Sequence, residues 1–165
     1  MVYRVKQFFK SITAKTTEDE EMWVKKVLNG QQQKLFFSLP IYEQRHSIDV
    51  AKSIMKKAGQ LNKDEYNLLI KAALLHDIGK VNTGLNPITK SIAVIYDCFN
   101  SRKKIPSKPK FLQAYYLHPD LGVEFLQRDG DANKTLLFLI SNHHQPIDKV
   151  SNELLKLLIE CDEEN

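Results

Sequence analysis

The segment NLLIKAALLHDIGKV, residues 67–81, decides how the rest of this chain can fold. His76 follows Leu69 and Ala72 by seven and four residues, spacings that place all three side chains on one face of an α-helix. Asp77 follows other apolar residues of the segment at the same spacings. The pattern predicts a helix over about 63–77 that carries an imidazole and a carboxylate on its buried face and ends at the isoleucine and glycine that follow.

The other histidines of the chain, and one further aspartate, occupy similar positions beside apolar residues at helical spacing. This second set consists of His46, His118, His143, His144 and Asp162. Because burying an isolated carboxylate costs several kcal/mol or more, a core that receives these groups must pair them, and a divalent cation satisfies aspartate and neutral histidine together. Imidazole and carboxylate are standard ligands of transition metals, so the pattern predicts a metal centre.

A structural role is the alternative for some of these residues. A single histidine on an apolar face, such as His118 taken alone, is more often a hydrogen-bonded core residue than a ligand. The histidine and aspartate of the opening segment, taken with Asp162, favour ligation because two of the three are carboxylates in apolar surroundings. His143 and His144 diverge by about 100° on a helix, so they need not serve the same ion, and one of them could contact substrate.

The remaining sequence predicts an all-α fold, since helical spacing recurs from residue 42 almost to the C-terminus without strand alternation or repeats. The predicted helices are approximately Tyr42–Ala58, Lys63–Asp77, Ile88–Phe99, Pro119–Arg128, Asn133–His144 and Ser151–Cys161, with a loop over Asn100–Lys110. Candidate ligands on five helices converge only if those helices form a bundle.

Residues 1–34 are predicted to be a helical extension before a main domain over 35–165. Thr17 and Glu20 have the spacing of a capping box that begins a helix, and Gly30 would end it. The amphipathic residues before them could lie on a membrane surface or a partner, although we expect them to pack over the core.

Composition limits the class of protein. The 165 residues, with a net charge of +4, suffice for one domain with a core. The chain has no apolar run of membrane-spanning length and no secretory signal, so we expect a cytoplasmic protein. Cys98 and Cys161 form no CxxC pattern and are predicted to be buried apolar side chains. The sequence leaves the oligomeric state open.

One short segment is strongly basic: Arg102, Lys103, Lys104, Lys108 and Lys110. Such a cluster is either a solvated loop or, beside a metal site, a contact for phosphate. It has no interleaved aromatic residues, and the net charge is too low for an extended phosphate track, which argues against nucleic acid as the partner.

Five segments, in this order, resemble the HD superfamily of metal-dependent phosphohydrolases: QRHSIDVAKSI, ALLHDIGKV, LHPDLGVEFL, ISNHHQP and LLKLLIECD. The ligands that the resemblance implies are His46, His76, Asp77 and Asp162 for a first ion, and His118, His143 and His144 for a second ion that shares Asp77. It also implies that Lys80 contacts the bridging water or a substrate phosphate. The residues after the paired histidines lack the glycine-tyrosine-proline signature of the cyclic di-GMP phosphodiesterase branch, which is therefore a poor match. The segment characteristic of the HD proteins that cleave diadenosine tetraphosphate symmetrically is not evident there either.

The expected function is hydrolysis of a phosphoester or phosphoanhydride bond in a small nucleotide-type substrate, with Asp77 and Lys80 as the catalytic residues and Arg102, Lys103 and Lys104 as further phosphate contacts. One or two divalent ions are expected, and iron, manganese, nickel and zinc are all compatible with the ligand types. The alternatives are a module that binds metal and nucleotide without turnover, an interaction protein with a structural metal, an oxygenase that activates dioxygen at a di-iron centre, or specifically a dinucleoside-polyphosphate hydrolase.

Overall fold

The computed structural model describes residues 14–84, 89, 93, 110–128, 130 and 133–165. We number the α-helices of these ranges α1 (Glu18–Val27), α2 (Gly30–Phe37), α3 (Ile41–Lys57), α4 (Lys63–Leu75), α5 (Lys110–Arg128), α6 (Lys134–Asn142) and α7 (Glu153–Glu164). Two short 3₁₀ turns, Ile78–Lys80 and Ile147–Lys149, follow α4 and α6. No β-strand occurs in the described ranges. The all-α prediction is confirmed.

Polar side chains fix where the first helices begin. Thr17 accepts a hydrogen bond from the backbone amide of Glu20, and the Glu20 side chain accepts one from the amide of Thr17, so the predicted capping box is confirmed. The prediction that Gly30 ends this helix is wrong. Helix α1 ends at Val27, and Asn29 caps a new helix that begins at Gly30, because its side-chain oxygen accepts the amide of Gln32 at 2.9 Å.

Helix α4 lies at the centre of the bundle. It packs against α3, α6 and α7, and six of its apolar residues are buried: Leu69, Ile70, Ala72, Ala73, Leu74 and Leu75. Val24 of α1 and Phe36 of α2 join the same apolar core. The division of the chain at residue 34 stays a prediction.

Two helices end earlier than their apolar patterns predict. Helix α4 ends at Leu75, so that His76 is its C-cap and Asp77 precedes the 3₁₀ turn. Helix α6 ends at Asn142, with His143 as its C-cap. These candidate ligands therefore occupy helix ends.

Helix α5 differs most from its prediction, since it begins at Lys110 and not near Pro119. A proline is common at the first position of a helix, which is why the sequence favoured a start there. Pro119 instead lies inside the helix. Its missing N–H is tolerated because the carbonyl oxygen of Tyr115, which an amide at position 119 would ordinarily reach, lies 3.0 Å from Nδ1 of His118.

Other predictions concern parts of the chain that the structure does not describe. The helix from Ile88 to Phe99 and the loop from Asn100 to Lys110 lie outside the described residues, apart from positions 89, 93 and 110. So do residues 1–13. Within the described ranges, no helix combines the length and apolarity needed to span a bilayer.

Candidate metal centre

The first group of side chains joins the middle of α3, the end of α4 and the last helix. Nε2 of His46 lies 2.8 Å from Oδ1 of Asp162, and Nε2 of His76 lies 3.5 Å from the same oxygen. One ligand atom from each residue falls within 4.8 Å of the others, which is close enough for all three to bind one ion. The sequence predicted these residues as ligands, and the fold brings them together.

The second group joins α5 to the end of α6. Nε2 of His118 lies 3.3 Å from Nε2 of His143 and 3.0 Å from Nε2 of His144. The sequence left open whether the two adjacent histidines would face the same point. Because α6 ends at residue 142, they are no longer constrained to diverge on a helix, and both rings face His118.

Asp77 lies between the two groups. Its Oδ1 is 3.2 Å from Nε2 of His118 and 3.9 Å from Nε2 of His143. Its Oδ2 is 3.3 Å from Nε2 of His76 and 3.8 Å from Nε2 of His46. One carboxylate oxygen therefore faces each group of histidines.

Backbone carbonyls orient three of the imidazole rings. Nδ1 lies 2.8 Å from the Ala73 carbonyl oxygen in His76 and 2.6 Å from the Ile140 carbonyl oxygen in His143. A carbonyl can only accept, so Nδ1 carries the proton in both rings and Nε2 is directed into the site, as in histidines that ligate metals. His118 is held similarly.

Among the described residues, several nitrogen and oxygen atoms that face the site have no proton between them or no hydrogen-bond partner, as expected of atoms that bind a cation. In neutral His118 and His143 the two Nε2 atoms present lone pairs to each other at 3.3 Å, an arrangement that an ion between them would stabilise. Nε2 of His76 and Oδ1 of Asp77 are buried and have no hydrogen-bond partner within the described part of the chain. Buried polar atoms are rarely left unpaired, so the donor set fits a divalent transition metal.

The pKa values of the histidines are also consistent with a cation-binding site. Burial alone would lower the pKa of His76, but the carboxylates of Asp77 and Asp162 outweigh it and raise that pKa to about 10. Burial lowers the pKa of His118 and, more strongly, of His143, where neighbouring histidines add to the effect. The carboxylate side of the site thus attracts positive charge, while the second histidine group stays neutral and available for coordination.

The comparison with known proteins accords with this geometry. The model of the HD-domain family matches residues 44–163, which include both groups and Asp77. The chain belongs to the HD-domain family. No curated protein and no solved structure matches the chain. The resemblance expected from the ordered motifs is confirmed, and with it the all-α fold of this HD domain.

The HD domain also holds a buried cation beside Asp77. Nζ of Lys80 lies 2.5 Å from Oδ2 of Asp77 and 3.3 Å from Oε2 of Glu43, and each of the three side chains is at most 6% exposed. Burial alone would lower the pKa of Lys80, but the two carboxylates raise it above its usual value. The ammonium therefore stays charged.

Sequence reasoning missed Glu43. It lies three residues before His46 on α3, and so one turn away on the same side of the helix. That spacing from a candidate ligand was the available signal, but a glutamate near a helix N-terminus is usually solvated. In the fold it is buried and accepts a hydrogen bond from Lys80, which approaches from a different part of the chain.

Close backbone packing fixes the distance between Asp77 and His118. A Cβ atom at Gly79 would lie 1.9 Å from the carbonyl oxygen of His118 and 2.7 Å from the amide nitrogen of Gly122. Only glycine permits this approach of the 3₁₀ turn to α5. The predicted phosphate contacts Arg102, Lys103 and Lys104 lie outside the described residues.

Proposed function

We propose that this HD domain is a metal-dependent phosphohydrolase that cleaves a phosphoester or phosphoanhydride bond of a small nucleotide-type substrate. The observation that carries the proposal is the position of Asp77, which directs one oxygen toward each group of histidines. Membership of the HD-domain family supports hydrolase chemistry. The substrate class and the number of ions are parts of the proposal.

The proposed ligands are His46, His76, Asp77 and Asp162 for one ion, and His118, His143 and His144, with Asp77 shared, for a second. Iron, manganese, nickel and zinc suit mixed imidazole and carboxylate donors, whereas calcium prefers oxygen donors alone. A bound divalent ion lowers the pKa of coordinated water toward neutrality and offsets charge on phosphoryl oxygens.

The side chains give this site an inner and an outer face. His76 and His143 are fully buried, whereas the side chains of His46 and Asp162 are 19% and 14% exposed. His144 is exposed as well. A structural metal site is usually closed by its ligands, whereas a catalytic one keeps a position open to water or substrate. The partly exposed rim favours the catalytic alternative.

Lys80 supplies positive charge that does not depend on a metal ion. Its ammonium, 2.5 Å from Asp77, is fixed in position by two carboxylates. In the proposed reaction it offsets the negative charge that develops on a phosphoryl group beside Asp77. Arg102, Lys103 and Lys104 are proposed as further phosphate contacts. The small net charge of +4 favours a small substrate over a nucleic acid.

The decisive experiment combines elemental analysis with a substrate panel. Purified protein should turn over selected nucleotides from a set of nucleoside mono-, di- and triphosphates, dinucleoside polyphosphates, cyclic dinucleotides and short RNA, each tested with manganese, iron, nickel or zinc. Asp77→Ala should lose both bound metal and activity, because it removes the carboxylate common to the two groups. Asp120→Ala, at an exposed position of α5, is the matched control and should keep both.

Each other result has a defined meaning. Full metal content in Asp77→Ala would refute the ligand assignment. Binding of nucleotide and metal without turnover of any phosphoester would favour a sensor or regulatory module. Selective turnover of RNA would overturn the proposed substrate class.

A further inference from the structure

His76 and His143 obtain their orienting hydrogen bonds from the ends of helices. The last carbonyl groups of an α-helix have no amide four residues later to bind them. In both histidines, Nδ1 donates to the carbonyl three residues earlier, Ala73 at 2.8 Å and Ile140 at 2.6 Å, and both carbonyls belong to the last turn of their helix. A terminal position thus leaves a carbonyl available for the ring.

His118 has no helix end nearby, since α5 continues to Arg128. Within a helix, the carbonyl three residues before a histidine normally accepts the amide of the residue that follows the histidine. Here that carbonyl belongs to Tyr115, and the residue that follows is Pro119, which has no N–H. Nδ1 of His118 lies 3.0 Å from this Tyr115 oxygen. Inside α5, therefore, Nδ1 of His118 bonds the carbonyl three residues earlier, as Nδ1 does in the two histidines at helix ends.

We propose that Pro119 is a positioning residue for His118. By withholding an amide proton, it reserves the Tyr115 carbonyl for Nδ1–H of His118 and fixes the tautomer whose Nε2 carries a lone pair. That Nε2 lies 3.2 Å from Oδ1 of Asp77 and 3.3 Å from Nε2 of His143. The importance of Pro119 for catalysis rests on the proposed function, but its effect on the ring does not.

The neighbouring carbonyl does not make the proline redundant. Nδ1 of His118 also lies 3.1 Å from the Ala114 oxygen, but in helical geometry that oxygen faces the backbone amide of His118 itself. With any residue other than proline at position 119, both carbonyls would have backbone amides directed at them. The ring proton would then compete with a backbone amide at each carbonyl, and the tautomer with the proton on Nε2, which cannot ligate a metal through Nε2, would gain population.

Pro119→Ala separates a positioning role from a contribution to folding. If Pro119 mainly supported the fold, the variant would lose thermal stability, whereas a positioning role predicts that stability is kept or gained while metal affinity falls. A proline inside a helix typically costs about 3 kcal/mol relative to alanine, so the variant should keep or gain thermal stability without metal. Loss of an outer hydrogen-bond partner of a metal-binding histidine typically weakens metal affinity about 10- to 100-fold. We expect Pro119→Ala to lose Zn²⁺ affinity by this factor at the metal position that includes His118. That position is identified as the one that His118→Ala no longer fills, and the affinity is measured by calorimetric titration.

Two readouts make the test specific. In metal-free protein, ¹⁵N NMR of the imidazoles should show His118 with its proton on Nδ1 in the native chain and as a mixture of tautomers in Pro119→Ala. A chain in which lactic acid replaces residue 119 through a backbone ester lacks both the proline ring and the N–H. It should restore the native tautomer and Zn²⁺ affinity. Pro40→Ala, before α3, is the control and should change neither.

The proposal is overturned if Pro119→Ala keeps a single Nδ1–H tautomer and full Zn²⁺ affinity. It is equally overturned if the ester fails to restore them, since the ring or the helix bend would then be responsible. Neither readout requires turnover. A native protein that binds Zn²⁺ but hydrolyses no phosphoester would contradict the proposed function and leave the positioning role of Pro119 intact.

Discussion

Replacing Lys80 with methionine removes one buried charge and preserves most of the side-chain volume. The ammonium lies between Asp77, at 2.5 Å, and Glu43, at 3.3 Å, with all three side chains almost fully buried. Removing one partner of a buried ion pair typically costs about 3–5 kcal/mol, because the other charge stays buried without compensation. We expect a loss of that size in the free energy of unfolding of metal-free Lys80→Met, measured by urea denaturation after treatment with a chelator.

Saturating Mn²⁺ should narrow this loss of stability, because the bound ion compensates the charge of Asp77. Lys57→Met is the matched control: its ammonium pairs with Glu164 at 2.5 Å, but both groups are well exposed. Exposed pairs contribute at most about 1 kcal/mol. Equal losses of unfolding free energy in the two variants, or a loss in Lys80→Met that Mn²⁺ leaves unchanged, would refute the reasoning.

If Lys80 also contacts phosphate, kcat/KM of Lys80→Met should fall roughly ten- to a hundredfold with metal content retained.

Three further predictions concern other parts of the structure. Gly79→Ala should lower the free energy of unfolding by about 1–3 kcal/mol, because its Cβ would collide with the His118 carbonyl. His118→Ala should reduce the metal content by about one ion per chain and not empty the site, because His46, His76 and Asp162 would still hold the other ion. Glu20→Gln should lose about 1 kcal/mol at pH 7. Burial alone would raise the pKa of Glu20, but the hydrogen bond from Arg45 and one from a lysine lower it from 4.5 to about 2, so this loss should disappear as the pH falls from about 5 to 2.

Each of these has a control and an opposing result. Gly59→Ala should be nearly neutral, since nothing lies within 4 Å of its added Cβ, and an equal effect at both glycines would contradict the collision. Elemental analysis showing either complete metal retention or complete loss in His118→Ala would exclude two partly separate positions. Glu18→Gln, at an exposed carboxylate of the same helix turn, should lower the free energy of unfolding at pH 7 by less than Glu20→Gln, and equal losses would refute the role of the Arg45 pair.

The sequence correctly predicted those structural features that depend only on residues close together in the chain. Helical spacing around His76 and the capping box at Thr17 each depend on a few neighbouring residues, and both predictions agree with the fold. Glu43 could not be predicted, because its ion pair with Lys80 joins residues that lie 37 positions apart in the sequence. Pro119 misled the prediction for a related reason, since the side chain that compensates its missing amide belongs to a candidate ligand. The ligand roles themselves stay predictions.

The helix ends at His76 and His143 have a consequence for the order in which ligands bind. The C-terminal end of a helix carries a partial negative charge of roughly half an electron, and both α4 and α6 direct this end at the site. Two carboxylates, Asp77 and Asp162, add to the same field. Such a field concentrates cations and repels free phosphate groups. We therefore expect the metal to bind first, and the phosphorylated substrate of the proposed reaction to bind more tightly once the metal has offset the negative charge.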